Sequence, residues 1–230
     1  MEILEVVTGC ETGNKYIVFE RGNQGRPRGR EMLMCREYSS CCAKQCTASS
    51  CRPFKMRVFN LWNHEAKCLE MERDCQLTVC CFNRPSMQVY HTENGAKDYL
   101  GRIVDNWDCC NYSFDIQDTA NRTIFYIEAA CTQCGLWCKC PCSGCERVVF
   151  DVYRGKKQKS LGTPLVKYGK KSCLKNLISD ADNFSMPYPA GSNFEERSLL
   201  LAAVLFIDYM MFEASPGRRK EGAAGMSGGR

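Results

Sequence analysis

The sequence predicts a mainly β protein in which a closed antiparallel sheet wraps around one hydrophobic C-terminal helix. Three observations carry that prediction. Positions 199–207 are nine consecutive apolar residues inside the run SLLLAAVLFIDYMMF, and at 3.6 residues per turn they leave no polar face, so the helix must be surrounded. Ahead of it lie ten short segments rich in β-branched and aromatic residues, the composition and alternation of half-buried strands. Turn residues separate many of them, which is the pattern of successive hairpins. Closing such a sheet removes exposed edges and supplies the surround that the helix needs.

After an apolar lead at 1–8, the strands are predicted at 15–19 (KYIVF), 30–35, 55–59 (KMRVF), 66–70, 87–90, 101–104, 113–116, 123–127 (TIFYI), 148–153 (VVFDVY) and 161–166. Turns are placed at Gly22-Asn23-Gln24-Gly25, Glu93-Asn94-Gly95, Ala120-Asn121 and Arg154-Gly155, where glycine and asparagine supply the backbone angles that tight turns require. The helix is predicted over about 196–213, built from the strong helix formers Leu, Ala and Met. Asn193 stands at its start as a cap, Glu195 and Glu196 favour the positive end of its dipole, and Pro216-Gly217 closes it. Residues 1–215 therefore read as one domain, followed by a Gly-rich basic tail at 216–230 that is expected to be disordered.

An apolar helix with no polar face is either a domain core or a membrane span. The 14 residues from Leu199 to Phe212 fall short of the roughly 17 to 25 needed to cross a bilayer. Asp208 inside them costs about 2.5 to 3.5 kcal/mol on insertion scales. The core reading is favoured, with a single-pass C-terminal span as its alternative. A buried Asp208 must be paired, hydrogen-bonded or protonated, either as a bond from helix to sheet or as a foothold for a lipid headgroup.

Charge and cysteine usage narrow the function classes. A net charge of +5 from 31 basic and 26 acidic residues gives only a mild attraction to anionic lipid or nucleic acid. The start MEILEVV lacks a basic region followed by a long apolar stretch, so no cleavable signal peptide is expected and the setting is expected to be reducing. An odd count of 19 cysteines, with doublets such as Cys41-Cys42, Cys80-Cys81 and Cys109-Cys110, fits a disulfide framework poorly. Metal binding, S-acylation and burial remain. Cys131, Cys134, Cys142 and Cys145 make two C-x-x-C pairs, enough thiolates for a tetrahedral zinc site; Cys41, Cys42, Cys46 and Cys51 are a second set. With only His64 and His91, and no phosphate-binding or dinucleotide-binding loop, covalent catalysis is not expected.

Specific stretches carry a family resemblance: TGCETGNKY at 8–16, CCAKQC at 41–46, CRPFKMRV at 51–58, and WDCC at 107–110 ahead of Phe114-Asp115-Ile116. They continue with the cysteine cluster 131–145 before VVFDV, DADNF at 180–184 and LFIDYMMFE at 205–213. Together they resemble the phospholipid scramblases over nearly the whole chain. The resemblance implies a 12-stranded tubby-like barrel around the C-terminal helix. It also implies calcium-responsive, ATP-independent movement of phospholipids between leaflets, with the domain on the cytoplasmic side of the plasma membrane. The implied calcium segment is 180–191, with Asp180 and Asp182 as carboxylates and Asn183, Phe184 and Met186 as further contacts. Measured against a 12-residue calcium loop, Phe184 fills position 5, Ser185 replaces the turn glycine and Gly191 replaces the bidentate acid, so affinity is expected only at about 10⁻⁴ to 10⁻³ M. The implied palmitate sites are Cys75, Cys80 and Cys81, and two acyl chains anchor where one does not. Phospholipids and membrane are the expected partners, with self-association open and nucleic acid not expected. The alternative classes are a peripheral, acylated lipid-binding adaptor of the same fold that does not transport lipid, and a cysteine-rich metal-binding or nucleic-acid-binding module.

Overall fold

Alternation along the chain translates into a meander. The computed structural model describes residues 15–21, 27–38, 53–63, 66–75, 82–137, 145, 147–156, 159–162, 164–168 and 183–212. Its strands are β1 (Lys15–Arg21), β2 (Pro27–Tyr38), β3 (Phe54–Asn60), β4 (Ala66–Arg73), β5 (Ser86–Glu93), β6 (Ala96–Asn106), β7 (Asn111–Asp118) and β8 (Thr123–Ala130). They continue as β9 (Arg147–Arg154), β10 (Lys159–Ser160), β11 (Leu165–Tyr168) and β12 (Asn183–Ser185). A short helix α1 (Cys134–Trp137) precedes β9, and α2 (Phe194–Met211) follows β12. Each strand pairs antiparallel with its neighbour in one sheet of order β1-β2-β3-β4-β5-β6-β7-β8-β9-β11-β12, and β10 pairs with β9 off that path. The β5–β6 turn shows why the order is so local. Asn94 and Gly95 both have positive φ, 49° and 85°, which is the twist a two-residue hairpin demands.

The inner faces read directly from the two-residue period. Met56 and Val58, Leu69 and Met71, Met87 and Val89, Phe114 and Ile116, Phe125 and Ile127, and Phe150 and Val152 are all buried on α2 or around it. The helix is buried without interruption from Ser198 to Tyr209. Phe206 meets the edge of Phe114 with ring centroids 6.1 Å apart, and Tyr209 stacks on Phe54 at 4.0 Å. Asn193 Oδ1 accepts from the Glu196 N–H at 2.8 Å and Glu196 Oε2 accepts from the Asn193 N–H at 3.3 Å, a reciprocal cap that starts the helix at Phe194, two residues before the predicted 196. The predicted closure at 216–217 lies outside the described residues. No described helix is long and apolar enough to cross a membrane.

Three expectations are adjusted. The sheet holds twelve strands, but among the described residues no hydrogen-bonded register joins β1 to β12, so it is not closed into a ring of ladders. β12 is only three residues long and its register is with β11. Both edges nevertheless reach the same end of α2: the Tyr16 hydroxyl on β1 donates to Asp208 Oδ2 at 2.7 Å, and the Phe184 ring on β12 lies 6.1 Å from Phe212. The predicted strand at 161–166 begins later, at Leu165, because Gly162 takes φ +65° and breaks the extended chain. The short strands β10 and β12 escape sequence reading, since two or three residues carry no usable period.

One glycine sets the depth of the core. Gly101 on β6 has φ +149°, and a Cβ placed there would sit 2.1 Å from the Gln117 carbonyl oxygen and 3.2 Å from Leu199 Cδ2. It lies at the register shift between β5 and β6, a bulge that lets β7 and the helix approach closely.

Candidate functional site

Antiparallel connectivity sorts the connections between two poles. The entry to β1 and the β2–β3, β4–β5, β6–β7, β8–β9 and β11–β12 connections all attach to strand ends at one pole. The C-terminal end of α2 points the same way, with Tyr209 against Phe54 at the start of β3. Among the eight described cysteines, Cys35 and Cys68 lie in strands, and Cys75, Cys109, Cys110, Cys131, Cys134 and Cys145 lie beside strand ends at this pole. The opposite connections carry none. A cysteine distribution that looks diffuse in the sequence is thus gathered by the meander.

Apolar and thiol groups share the described part of this surface. Phe82, Trp107 and Trp137 are 72%, 55% and 68% exposed. Cys75, Cys109 and Cys110 are exposed too, the last two with sulfurs 3.4 Å apart. Trp137 Nε1–H donates to the Cys131 carbonyl at 2.6 Å, which satisfies its polar edge and leaves the ring face outward.

Beneath the rim lies a buried charged group. Arg73 continues the inward series of Leu69 and Met71 on β4, and its guanidinium sits 5.6 Å from the Tyr209 ring and 5.9 Å from the Phe206 ring. It also donates to Met210 Sδ at 3.2 Å. Asp105 on β6 pairs with Arg84. Lys167 Nζ lies over the Phe212 ring at the end of α2, 3.3 Å from its centroid. Asp208, singled out from the sequence, is 7% exposed and is held by Tyr16, tying the helix to the first strand.

Asp105 gives this layer a pH dependence. Burial pushes its carboxyl up to about 6, against the opposing pull of Arg84 and Arg73. Because the folded value lies above the unfolded one, the folded state holds the proton more tightly. The resulting stability is present below about pH 4 and is lost as pH rises through about 6. A shift from 3.8 to about 6 corresponds to about 3 kcal/mol. Asp105→Asn is therefore expected to remove a decline of that order between pH 4 and 6.5 in denaturant unfolding curves, whatever constant offset the lost Arg84 pairing adds; an unchanged slope contradicts this assignment.

The sequence-predicted sites are placed unevenly. Asp180 and Asp182 lie outside the described residues. Asn183, Phe184 and Ser185 form β12, with Phe184 directed at Phe212 and Met186 packed on the core. Cys80, Cys81 and Cys142, and the set Cys41, Cys42, Cys46 and Cys51, also lie outside the described residues. Cys134 and Cys145 are brought into contact where α1 meets the start of β9, while Cys131 lies on the side of Cys110 and Tyr112. Among the described residues no group of three or more His, Cys, Asp or Glu could hold a metal ion. Arg73, Arg84 and Asp105 were not singled out from the sequence; the inward period of β4 was the available signal for Arg73.

Comparison with known proteins gives a family match. Residues 1–214 match the profile of the family described as Scramblase. The chain is 29% identical over 222 residues to phospholipid scramblase 2 of Bos taurus, covering 94% of this chain and 67% of that protein. It is 27% identical over 220 residues to phospholipid scramblase 1 of Homo sapiens, covering 94% and 61%. Phospholipid scramblase family member 5 of Homo sapiens is 24% identical over 216 residues, covering 94% and 72%. The chain thus spans about three fifths to three quarters of the length of these relatives. No solved structure matches.

Proposed function

The chain belongs to the Scramblase family, and on that premise we propose that it moves phospholipids between the leaflets of a membrane, without covalent chemistry and without ATP. The observation that carries the reading is the family match across 1–214. The cysteine-bearing pole supplies its orientation. Exposed Trp107, Trp137 and Phe82 suit the headgroup boundary, where amphipathic rings concentrate. Cys80 and Cys81, with Cys75 beside them, carry palmitate on the β4–β5 connection of that pole, and two chains hold a protein that one would release. Lys170, Lys171 and Lys175 fall on the β11–β12 connection of the same pole, where each basic residue adds up to about 1 kcal/mol at an anionic surface. The site of action is the cytoplasmic face of the plasma membrane.

In this reading the sheet closes into a tubby-like barrel around α2. The helix is fully occupied as core, so the lipid path runs along the outside of the protein or between associated copies. Calcium enters only weakly, through Asp180 and Asp182. No step of lipid movement is assigned to the ion.

Reconstitution into vesicles tests the proposal. Purified, acylated chain is expected to accelerate exchange of a fluorescent phospholipid between leaflets. Cys80→Ala with Cys81→Ala is expected to shift the protein to the soluble fraction of cells. A calcium titration is expected to show no site tighter than the order of 10⁻⁴ M, lost in Asp180→Ala with Asp182→Ala. Salt-sensitive binding to anionic vesicles without leaflet exchange would instead establish the lipid-binding adaptor.

A further inference from the structure

The corner where α1 meets β9 holds two sulfurs far closer than unrelated thiols pack. Cys134 Sγ and Cys145 Sγ are 2.6 Å apart. The exposed vicinal pair Cys109 and Cys110, by comparison, rests at 3.4 Å. Two thiolates on one tetrahedral zinc, each bound at about 2.3 Å, stand about 3.7 Å from each other. A disulfide needs about 2.05 Å. The observed separation is therefore well inside the metal geometry and a short movement from the covalent one.

Three independent features hold the two thiols in register. The Gln133 side chain acts as one more rung of the sheet: its Nε2–H donates to the Val149 carbonyl and its Oε1 accepts from the Val149 N–H, both at 2.8 Å. Gly135 allows α1 to lie directly on β9, since a Cβ there would come within 2.9 Å of Val148 Cγ2, 3.0 Å of the Arg147 carbonyl and 3.3 Å of the Cys145 carbonyl. The Trp137 indole bonds back to the Cys131 carbonyl and fixes the far side of the turn. The residue before Cys134 is thus hydrogen-bonded to the strand that Cys145 leads into, and the residue after it lies close against that strand.

We propose that Cys134 and Cys145 are a redox pair that forms a reversible disulfide, with disulfide-form glutathione or an equivalent low-molecular-weight disulfide as oxidant. Their exposures differ in the way such a pair requires. Cys134 is open to solvent and Cys145 is 5% exposed. The Cys134 thiolate attacks one sulfur of the oxidant, forming a mixed disulfide and releasing one glutathione thiolate. The Cys145 thiolate then attacks the Cys134 sulfur and releases the second glutathione. The two cysteine protons end on the two glutathione thiolates; the protein sulfurs are oxidised and the glutathione disulfide is reduced. This single reversible pair differs from a structural disulfide framework and suits a reducing compartment that is transiently oxidised. It does not depend on lipid transport.

Peptide mapping tests it on the unaltered chain. The protein is equilibrated in buffers stepped from reduced to oxidised glutathione, alkylated and digested with trypsin, which separates Cys134 from Cys145 at Lys139. The expected result is that the Cys134–Cys145 link is the first to appear among all the cysteines and disappears when reduced glutathione is restored. Gln133→Ala, which removes both bonds to Val149, is expected to raise the oxidised-to-reduced ratio needed for half formation by about tenfold or more, with the far-ultraviolet dichroism unchanged. The proposal is overturned if Cys134 links instead to Cys131 or Cys138, or if both thiols stay alkylatable in fully oxidised glutathione. Stoichiometric bound zinc that protects both from alkylation also overturns it.

Discussion

Gly101→Ala is expected to cost about 3 to 5 kcal/mol, enough to unfold much of the population of a domain whose total stability is about 5 to 15 kcal/mol. Two effects add. The backbone at this residue has φ +149°, a region that costs a side-chain-bearing residue about 1 to 3 kcal/mol. The new Cβ would then stand 2.1 Å from the Gln117 carbonyl oxygen, a main-chain atom that can retreat only by breaking the β6–β7 ladder. Gly95 is the control. It also has positive φ, but a Cβ there meets nothing within 4 Å, so Gly95→Ala should lose only about 1 kcal/mol. Urea unfolding of the two variants beside the parent separates the cases, and equal losses would remove the close-approach argument.

Phe206→Ala is expected to cost about 3 to 5 kcal/mol through the cavity it leaves. The ring is 0% exposed and centred between the Phe114 edge and the Arg73 guanidinium. Its loss therefore also leaves that buried charge without one of its two aromatic faces. Phe206→Leu, which keeps most of the volume, should cost less than about 1.5 kcal/mol. A fully stable alanine variant would mean that α2 is not the core of the sheet.

The parts of the structure that were legible in the sequence are those that repeat. Ten segments alternate with period two and nine consecutive apolar residues exclude a polar face, so the sheet and its central helix follow from pattern alone. The cap at Asn193 and the turn at Asn94-Gly95 were legible for a different reason, since each uses a residue type that the backbone conformation itself demands. What could not be read is what depends on distance through space. No spacing announces that Gln133 pairs with Val149, and the two C-x-x-C spacings grouped Cys134 with Cys145 without telling which thiols of the set would touch. The segment 180–191 was carried by likeness to a family, and likeness did not reveal that its residues 183–185 form a strand paired to β11. The gathering of cysteines at one pole was present in the sequence throughout. It became visible only when each connection was assigned an end of the sheet.

The order of elements along the chain has a consequence for biosynthesis. Every strand pairs with a near neighbour in sequence, so hairpins can assemble as they are made. The element that fills the space between them, α2, follows all twelve strands. Until it arrives, the inward row of Met, Phe, Ile and Val has nothing to pack against, and a nascent chain presents a concave apolar sheet with open edges. That is the state most prone to aggregate and to engage chaperones. Translation stalled between β12 and α2 should yield a chaperone-bound chain, and an α2 peptide supplied in trans is the molecule that would release it.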